Sequence, residues 1–330
     1  RREQIQARGE DQLRERQWAR TAAHEEEVLS EGRSAARLTN DNCINDPVIV
    51  KTNVKHDEKC ERNGTTSGSK TKVVRSGKSK LNILTSNVCG FKSKSGSIQN
   101  ILSEQNIDIA CLCETHSEGD TVPSLKGYVT YFRNRQSKSK GGIAMLIRKE
   151  LEPWAMKMES GSGDNEFFAC KFTCFEPEVV VVLQYGIIEN RFTTNEIMSI
   201  QSEVFSVVKG YCEEGFDVLW TGDMNVHLGV EERLKGNNPT ISTGGKNLTK
   251  FIDEQSLHLC NWKDQSHTHW DRSGGKSNIL DLMITNSEEK VTRFKVDKEL
   301  EFTPYRLRKT KQGLQKKLTD HLSLLTTFSV

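Results

Sequence analysis

The chain has no C-x-x-C pair, no apolar run near the roughly 20 residues of a membrane span, and no internal repeat. It also has almost no net charge: 47 Lys and Arg stand against 45 Asp and Glu, a balance of +2. A chain-wide electrostatic case for nucleic acid is therefore weak, and any such case must be local. No secretory leader or other targeting segment is expected. The nine cysteines (Cys43, Cys60, Cys89, Cys111, Cys113, Cys170, Cys174, Cys212 and Cys260) are odd in number. Cys111, Cys113 and Cys170 lie in apolar runs and read as buried thiols. A reducing, intracellular compartment is expected, nuclear or cytoplasmic. Cys170 and Cys174 have no second pair at ligand spacing, which argues against a structural zinc site. The first residue is arginine, as a fragment or processed product would show.

What is present divides unequally. Residues 1–37 are dense in Arg, Glu, Gln and Ala and favour a charged, solvated helix. Their apolar positions (Ile5, Leu13, Trp18, Val28, Leu29) do not sustain a heptad. Residues 38–80 read as a flexible polar and basic linker, rich in Gly, Ser, Thr and Lys. Its lysines serve either as a solvated tether or as phosphate contacts.

From residue 81 short apolar strands take over. "LNILTS", "IDIACLCE", "GYVTYFR", "GGIAMLIR", "NEFFACKFTCF", "EVVVVLQYG", "FDVLWTGDMN", "SNILDLMITN", "VTRFKV" and "HLSLLTTFSV" all read as strands. "SIQNILSEQN" reads as a helix. A second helix starts near "TTNEIMS", with Thr194 or Asn195 as its cap, and weakens at Gly210. "GGKNLTKFIDEQSLHLCNW" gives a helix and then a strand. Strands outnumber helices, and neighbours often read as hairpins. This favours two packed mixed or antiparallel sheets with helices on the outer faces, an α/β fold of four α/β/β/α layers.

Polar residues fall at the ends of these strands. Asn87 follows "LNILTS", Glu114 follows "IDIACLC", Tyr185 follows "EVVVVLQ", and Asp223 and Asn225 follow "FDVLWTG". Each alone has an ordinary reading: a turn, a surface acid, sheet packing. Asp281 is harder to explain that way. A carboxylate between apolar neighbours is costly unless paired, and His321 is available to pair with it. Hard oxygen ligands such as Glu114 suit magnesium or manganese.

The ordered set "TSNVCG", "CETH", "QYG", "GDMN", "SNILDLMIT" and "TDHLSL" resembles the endonuclease/exonuclease/phosphatase superfamily. It is most like the apurinic-type endonuclease domains of non-LTR retrotransposons. The resemblance covers residues 81–330 and says nothing about residues 1–80. Three departures stand out: Ser86 where the family often has a bulky residue, Met224 where it commonly has Phe, and Asn278 where it often has Arg. The resemblance implies a Mg2+- or Mn2+-dependent hydrolase of DNA phosphodiesters, leaving 3′-hydroxyl and 5′-phosphate ends. It implies that Glu114, Asn87 and Asp320 hold or adjoin the metal. It assigns Asp223 to the attacking water, Asn225 to a phosphate oxygen, His321 oriented by Asp281 to charge stabilisation, and Tyr185 to the phosphate or leaving group.

The basic run Arg306, Arg308, Lys309, Lys311, Lys316 and Lys317 precedes this centre. It is either a solvated loop or a contact to the DNA backbone. Lys138 and Lys140 are weaker candidates for the same role, and Trp270 either stacks on a base or packs at the rim. His116, His227 and His269 lie too far apart in sequence to argue for zinc. Two other readings share these motifs: a phosphatase or phosphodiesterase for a small or lipid phosphate ester, and a non-catalytic binding module. The end of the chain just after "TDHLSLLTTFSV" fits a domain cut from a longer polyprotein carrying a reverse transcriptase. No membrane partner is expected.

Overall fold

The computed structural model describes residues 77–119, 121–134, 141–162, 165–229, 240–270, 277–297, 300, 308–310, 313–315 and 321–330. Residues 1–37 and all but the end of the 38–80 stretch lie outside these, as does the turn with Lys138 and Lys140. Strand β1 (Lys80–Asn87) runs parallel to β2 (Ile109–Cys113), and helix α1 (Ser95–Glu104) makes the crossover. β3 (Tyr128–Arg133) and β4 (Ile143–Arg148) extend that sheet antiparallel beyond β2.

The second sheet holds β5 (Ala155–Ser160), β6 (Glu166–Phe172), β7 (Val179–Tyr185) and β8 (Asp217–Asp223). β7 and β8 are parallel, joined through helix α2 (Thr194–Glu213). Helix α3 (Thr243–Glu254) then leads to β9 (His258–Leu259). A short pair, β10 (His269–Trp270) and β11 (Ser277–Asn278), precedes β12 (Asp281–Thr285). β13 (Val291–Asp297), the hairpin β14 (Arg308–Thr310) and β15 (Gly313–Gln315), and β16 (Ser323–Ser329) complete the chain. The two large sheets have six strands each, ordered β13-β16-β1-β2-β4-β3 and β5-β6-β7-β8-β12-β9.

Three apolar clusters hold the layers together. Leu81, Ile83, Ile109, Cys111 and Met145 of the first sheet meet Phe168, Val181, Leu183 and Leu219 of the second. Ile98, Ile101 and Leu102 of α1 cover the outer face of the first sheet against Leu84, Leu112 and Leu146. Val204 and Val208 of α2, with Leu248 and Phe251 of α3, cover the second against Val182 and Trp220. The result is the expected α/β/β/α sandwich. Cys111, Cys113 and Cys170 are buried between or within the sheets, as their apolar neighbours predict.

Three local expectations change. The cap of α2 is Thr193, not Thr194 or Asn195. Its hydroxyl accepts from Glu196 N, and the Glu196 carboxylate accepts the Thr193 N–H at 2.7 Å. That capping box needs an acid three residues after the cap, which only Thr193 has. Gly210 lies in the last turn of α2, which runs on to Glu213, and its carbonyl accepts from Glu214 N at 2.9 Å. "SNILDLMITN" is not one strand: Thr268 Oγ1 accepts the N–H groups of Leu280 and Asp281, both at 3.0 Å, and interrupts the ladder between β11 and β12. Finally β5, "AMKMES", was not expected. It is an edge strand whose exposed face carries Met156 and the acid Glu159, so it lacks the apolar signal of the central strands.

Candidate active site

Alternation along β1 and β8 builds the site. In a strand every second side chain points the same way. Leu81 and Ile83 therefore face the second sheet as apolar packing, Thr85 follows, and Asn87 ends the series. On β8 the facing series is Leu219, Thr221 and Asp223. Thr85 Oγ1 meets Thr221 Oγ1 at 2.8 Å. One layer further, Asn87 Nδ2 donates to Asp223 Oδ2 at 2.9 Å. The space between the sheets thus passes from apolar to hydroxyl to charged at one end.

The other predicted residues reach that end by topology. Parallel β7 ends at Tyr185, opposite Asp223. Antiparallel β12 begins at Asp281, also opposite Asp223. Antiparallel β16 begins just after His321 and pairs with β1 near Thr85. Glu114 follows the last residue of β2, whose partner in register is Asn87.

The side chains form two linked groups. In the first, His321 Nδ1 lies 2.9 Å from Asp281 Oδ2, and His321 Nε2 lies 3.7 Å from Asp223 Oδ2. The His269 ring packs beside that of His321, with centroids 4.6 Å apart. In the second, the Tyr185 hydroxyl donates to Glu114 Oε1 at 2.8 Å, and Glu114 Oε2 faces His116 Nε2 at 3.2 Å. Asn87 bonds Asp223 of the first group, and its amide helps to favour the ionised form of Glu114 in the second.

Burial decides the charges. Asp223 is 1% exposed, and loss of solvent pushes its carboxyl up to about 6, against the pull of the His321 cation. Burial alone would lower His321. The Asp281 and Asp223 carboxylates outweigh it and raise the imidazole to about 9. Burial also works against an ionised Glu114, yet the hydrogen bonds from Tyr185 and Asn87 and the two nearby histidines hold its carboxyl below the ordinary value. Burial and the Glu114 and Asp223 carboxylates push the Tyr185 phenol well above its ordinary range, so it remains a donor.

Backbone strain gathers here too. Cys89, Glu114, His116 and Asn225 all adopt positive φ, between 43° and 52°, though none is glycine. Such conformations persist where the surroundings fix them. Asn225 is fixed by its own amide: Nδ2 donates to Gly186 O at 2.9 Å, and its N–H donates to Asp223 Oδ1 at 3.1 Å.

The profile of the Endonuclease/Exonuclease/phosphatase family matches residues 84–321, from β1 to the site histidine. The chain belongs to this family. A probable RNA-directed DNA polymerase from transposon X-element of Drosophila melanogaster is 37% identical over 73 residues, which make up 22% of this chain and 8% of that protein. The chain thus matches a small part of that relative's length. The AP endonuclease LMAP from Leishmania major shares the fold at 13% identity, with a TM-score of 0.61 over 76% of this chain and 88% of its own. The endonuclease domain of TRAS1, a telomere-specific non-LTR retrotransposon, does so at 13% identity and a TM-score of 0.53, over 76% of this chain and 98% of its own.

Within the family fold, Asn87, Glu114, Tyr185, Asp223, Asn225, Asp281 and His321 converge at the same strand ends. Asp320 lies outside the described residues, as do Arg306, Lys311, Lys316 and Lys317. Arg308 and Lys309 are described only as backbone of the β14–β15 hairpin, where a loop was one expectation. Two of the departures from the family pattern are packing. Met224 is buried in the outer cluster under α2 and α3, and Ser86 accepts a hydrogen bond from Ser323 at 3.1 Å. His227 belongs to a different neighbourhood, its N–H donating to Ser242 Oγ at the cap of α3. Reasoning from sequence missed Thr268, which fixes the start of β12, and Cys89, which stands two residues beyond Asn87. The distant groove of about 410 Å³ between Thr173–Glu178 and Glu214–Phe216 lies at the opposite strand ends and contains none of the site residues.

Proposed function

We propose that this chain is a divalent-metal-dependent endonuclease that nicks DNA, as part of a retrotransposon-derived intracellular protein. The observation that carries the reading is the position of Asp223: a buried carboxylate between the Asn87 amide and the His321–Asp281 pair. The donors suit a hard cation. Glu114 is held ionised at the site, and Asn87 presents an amide beside it. Glu114, Asn87 and Asp320 would hold magnesium or manganese, which when bound neutralises charge on the phosphate.

The chain's own residues account for the rest. Asp223 takes a proton from the attacking water, whose oxygen bonds to phosphorus. His321, kept protonated by Asp281, stabilises the negative charge that develops on a phosphate oxygen. Asn225 donates to another phosphate oxygen through its remaining amide N–H. Tyr185 keeps Glu114 in place and sits at the phosphate. The P–O3′ bond breaks and the 3′ oxygen takes up a proton, leaving 3′-hydroxyl and 5′-phosphate ends. A 3′-hydroxyl is what a reverse transcriptase in the same parent protein would extend. The basic residues from Arg306 to Lys317 would contact the DNA backbone beside the cleaved bond.

Nicking of supercoiled plasmid by the full chain, with and without magnesium, tests this. Wild type should nick only with the metal, and Asp223→Ala should lose roughly 100-fold or more. Intact plasmid alongside hydrolysis of a phosphoinositide or another small ester would replace the reading with a phosphatase.

A further inference from the structure

Cys89, Glu114 and His116 form a second cluster on the rim of the site. One ligand atom from each lies within 4.8 Å of the others. Among the described residues Cys89 is the one exposed cysteine; five others are buried and Cys212 is half-buried. A thiol in contact with solvent is unusual for a residue that normally packs inside. This thiol also stands on a backbone of φ 43°, where a side chain is disfavoured.

The loops that carry the cluster are laced together. Gly90 N donates to Glu114 O at 2.7 Å and Phe91 N to Thr115 O at 2.8 Å. His116 N is anchored on Gly141 O at 2.9 Å. The His116 ring leans over the first loop, its Nδ1 being 3.5 Å from where a Cβ on Gly90 would stand. Cys89 N donates to Asn87 Oδ1, which ties the thiol's backbone to the site itself. Both His116 and Glu114 keep about a quarter of their side chains exposed. The cluster is thus fixed in backbone and open to solvent in side chain.

We infer that Cys89, Glu114 and His116 form a binding site for zinc or a similar borderline-soft divalent cation, and that its occupation inhibits the enzyme by capturing Glu114. A thiolate, an imidazole and a carboxylate suit zinc and not magnesium. Ligand bonds of about 2.0–2.3 Å at tetrahedral angles place donor atoms roughly 3.3–3.6 Å apart. His116 and Glu114 are already at 3.2 Å. The remaining separations, at most 4.8 Å, close by rotation of the exposed Cys89 side chain. Three protein ligands leave a fourth position for water. A carboxylate turned towards this ion is no longer free to hold a hard cation beside Asn87. The inhibitory half of the inference rests on the proposed role of Glu114; the binding half does not.

Cobalt(II) reports binding directly, because a thiolate ligand gives a charge-transfer absorption. Titrated with cobalt, the full wild-type chain should develop that band at one equivalent. Cys89→Ser should lose it, and His116→Asn should bind at least tenfold more weakly. No band in wild type, or a band retained by Cys89→Ser, overturns the site. In magnesium-supported plasmid nicking, half-inhibition of wild type should need at least tenfold less zinc than half-inhibition of Cys89→Ser. Equal sensitivity overturns the inhibitory role. A cobalt band in a protein that nicks no DNA upholds the metal site and defeats the nuclease reading instead.

Discussion

His321 Nδ1 lies 2.9 Å from Asp281 Oδ2, and the opposite ring nitrogen faces Asp223 Oδ2 at 3.7 Å. The imidazole is a bridge between two buried carboxylates. One fixes its orientation and keeps it charged, and the other is the group proposed to take the proton from water. Asp281 Oδ1 is buried and has no hydrogen-bond partner among the described residues. Its charge acts on the His321 imidazole and also on Asp223.

The pH profile of hydrolysis should report this bridge. The proposed active form has Asp223 ionised and His321 protonated. Asp223 is pushed up to about 6, so the rate should rise with pH through about 6 as it loses its proton. His321 is raised to about 9, so the rate should fall above about 9 as the imidazolium is lost. Asp281→Asn removes a charge that raises both groups. Both limbs should then move to lower pH, the alkaline one by about one unit or more. An alkaline limb that stays near 9 in Asp281→Asn would show that another group sets it.

Gly222 sets how closely β7 and β8 approach just before Asp223. Its φ is 142°, and a Cβ there would stand 1.8 Å from Gln184 O. Gly222→Ala must therefore shift backbone and not merely a flexible side chain. Strain alone should cost roughly 1–3 kcal/mol. Thermal unfolding should register a fall of roughly 2–4 °C per kcal/mol in a domain of this size. Gly96→Ala, in α1, meets nothing within 4 Å and serves as the comparison. It should leave the Tm unchanged or raise it slightly, because alanine favours helix. Equal Tm values for the two variants would dispose of the close-approach argument.

The sandwich was legible because its central strands are apolar on both faces. "EVVVVLQYG" has every residue of β7 buried, and such a run admits little else. The site was legible for the complementary reason: polar residues at the ends of such runs, as at Asn87 and Asp223, interrupt an otherwise clear pattern. What was not legible depends on backbone conformation or on contacts between distant loops. β5 carries lysine and glutamate at an edge and has no strong period. Thr268 acts through its hydroxyl on β12 from a segment with no pattern of its own. Cys89 and His116 are 27 residues apart, and only the backbone bonds between their loops bring them together. The adjacency of "NVC" and "ETH" to the site residues was the available signal, and it has meaning only once β1 and β2 are known to be parallel neighbours.

Tyr185 offers a test of how Glu114 is prepared. The phenol donates to Glu114 Oε1 at 2.8 Å, and burial beside the Glu114 and Asp223 carboxylates raises its pKa, which keeps it protonated throughout the working range. That bond stabilises the carboxylate form, and it is the first of the contacts that hold Glu114 below its ordinary value against burial. Tyr185→Phe keeps the ring packed against the inter-sheet core and removes only the donor. Glu114 should then titrate at higher pH, and its carboxylate should lose the contact that holds Oε1. Partners that orient a metal-binding carboxylate are typically worth roughly 10–100-fold in affinity or activity. The variant should therefore need roughly 10–100-fold more magnesium for half-maximal nicking, while plasmid binding in the absence of metal stays near the wild-type level. A lower rate at saturating magnesium with an unchanged metal requirement would place Tyr185 on the phosphate or leaving group and not on Glu114.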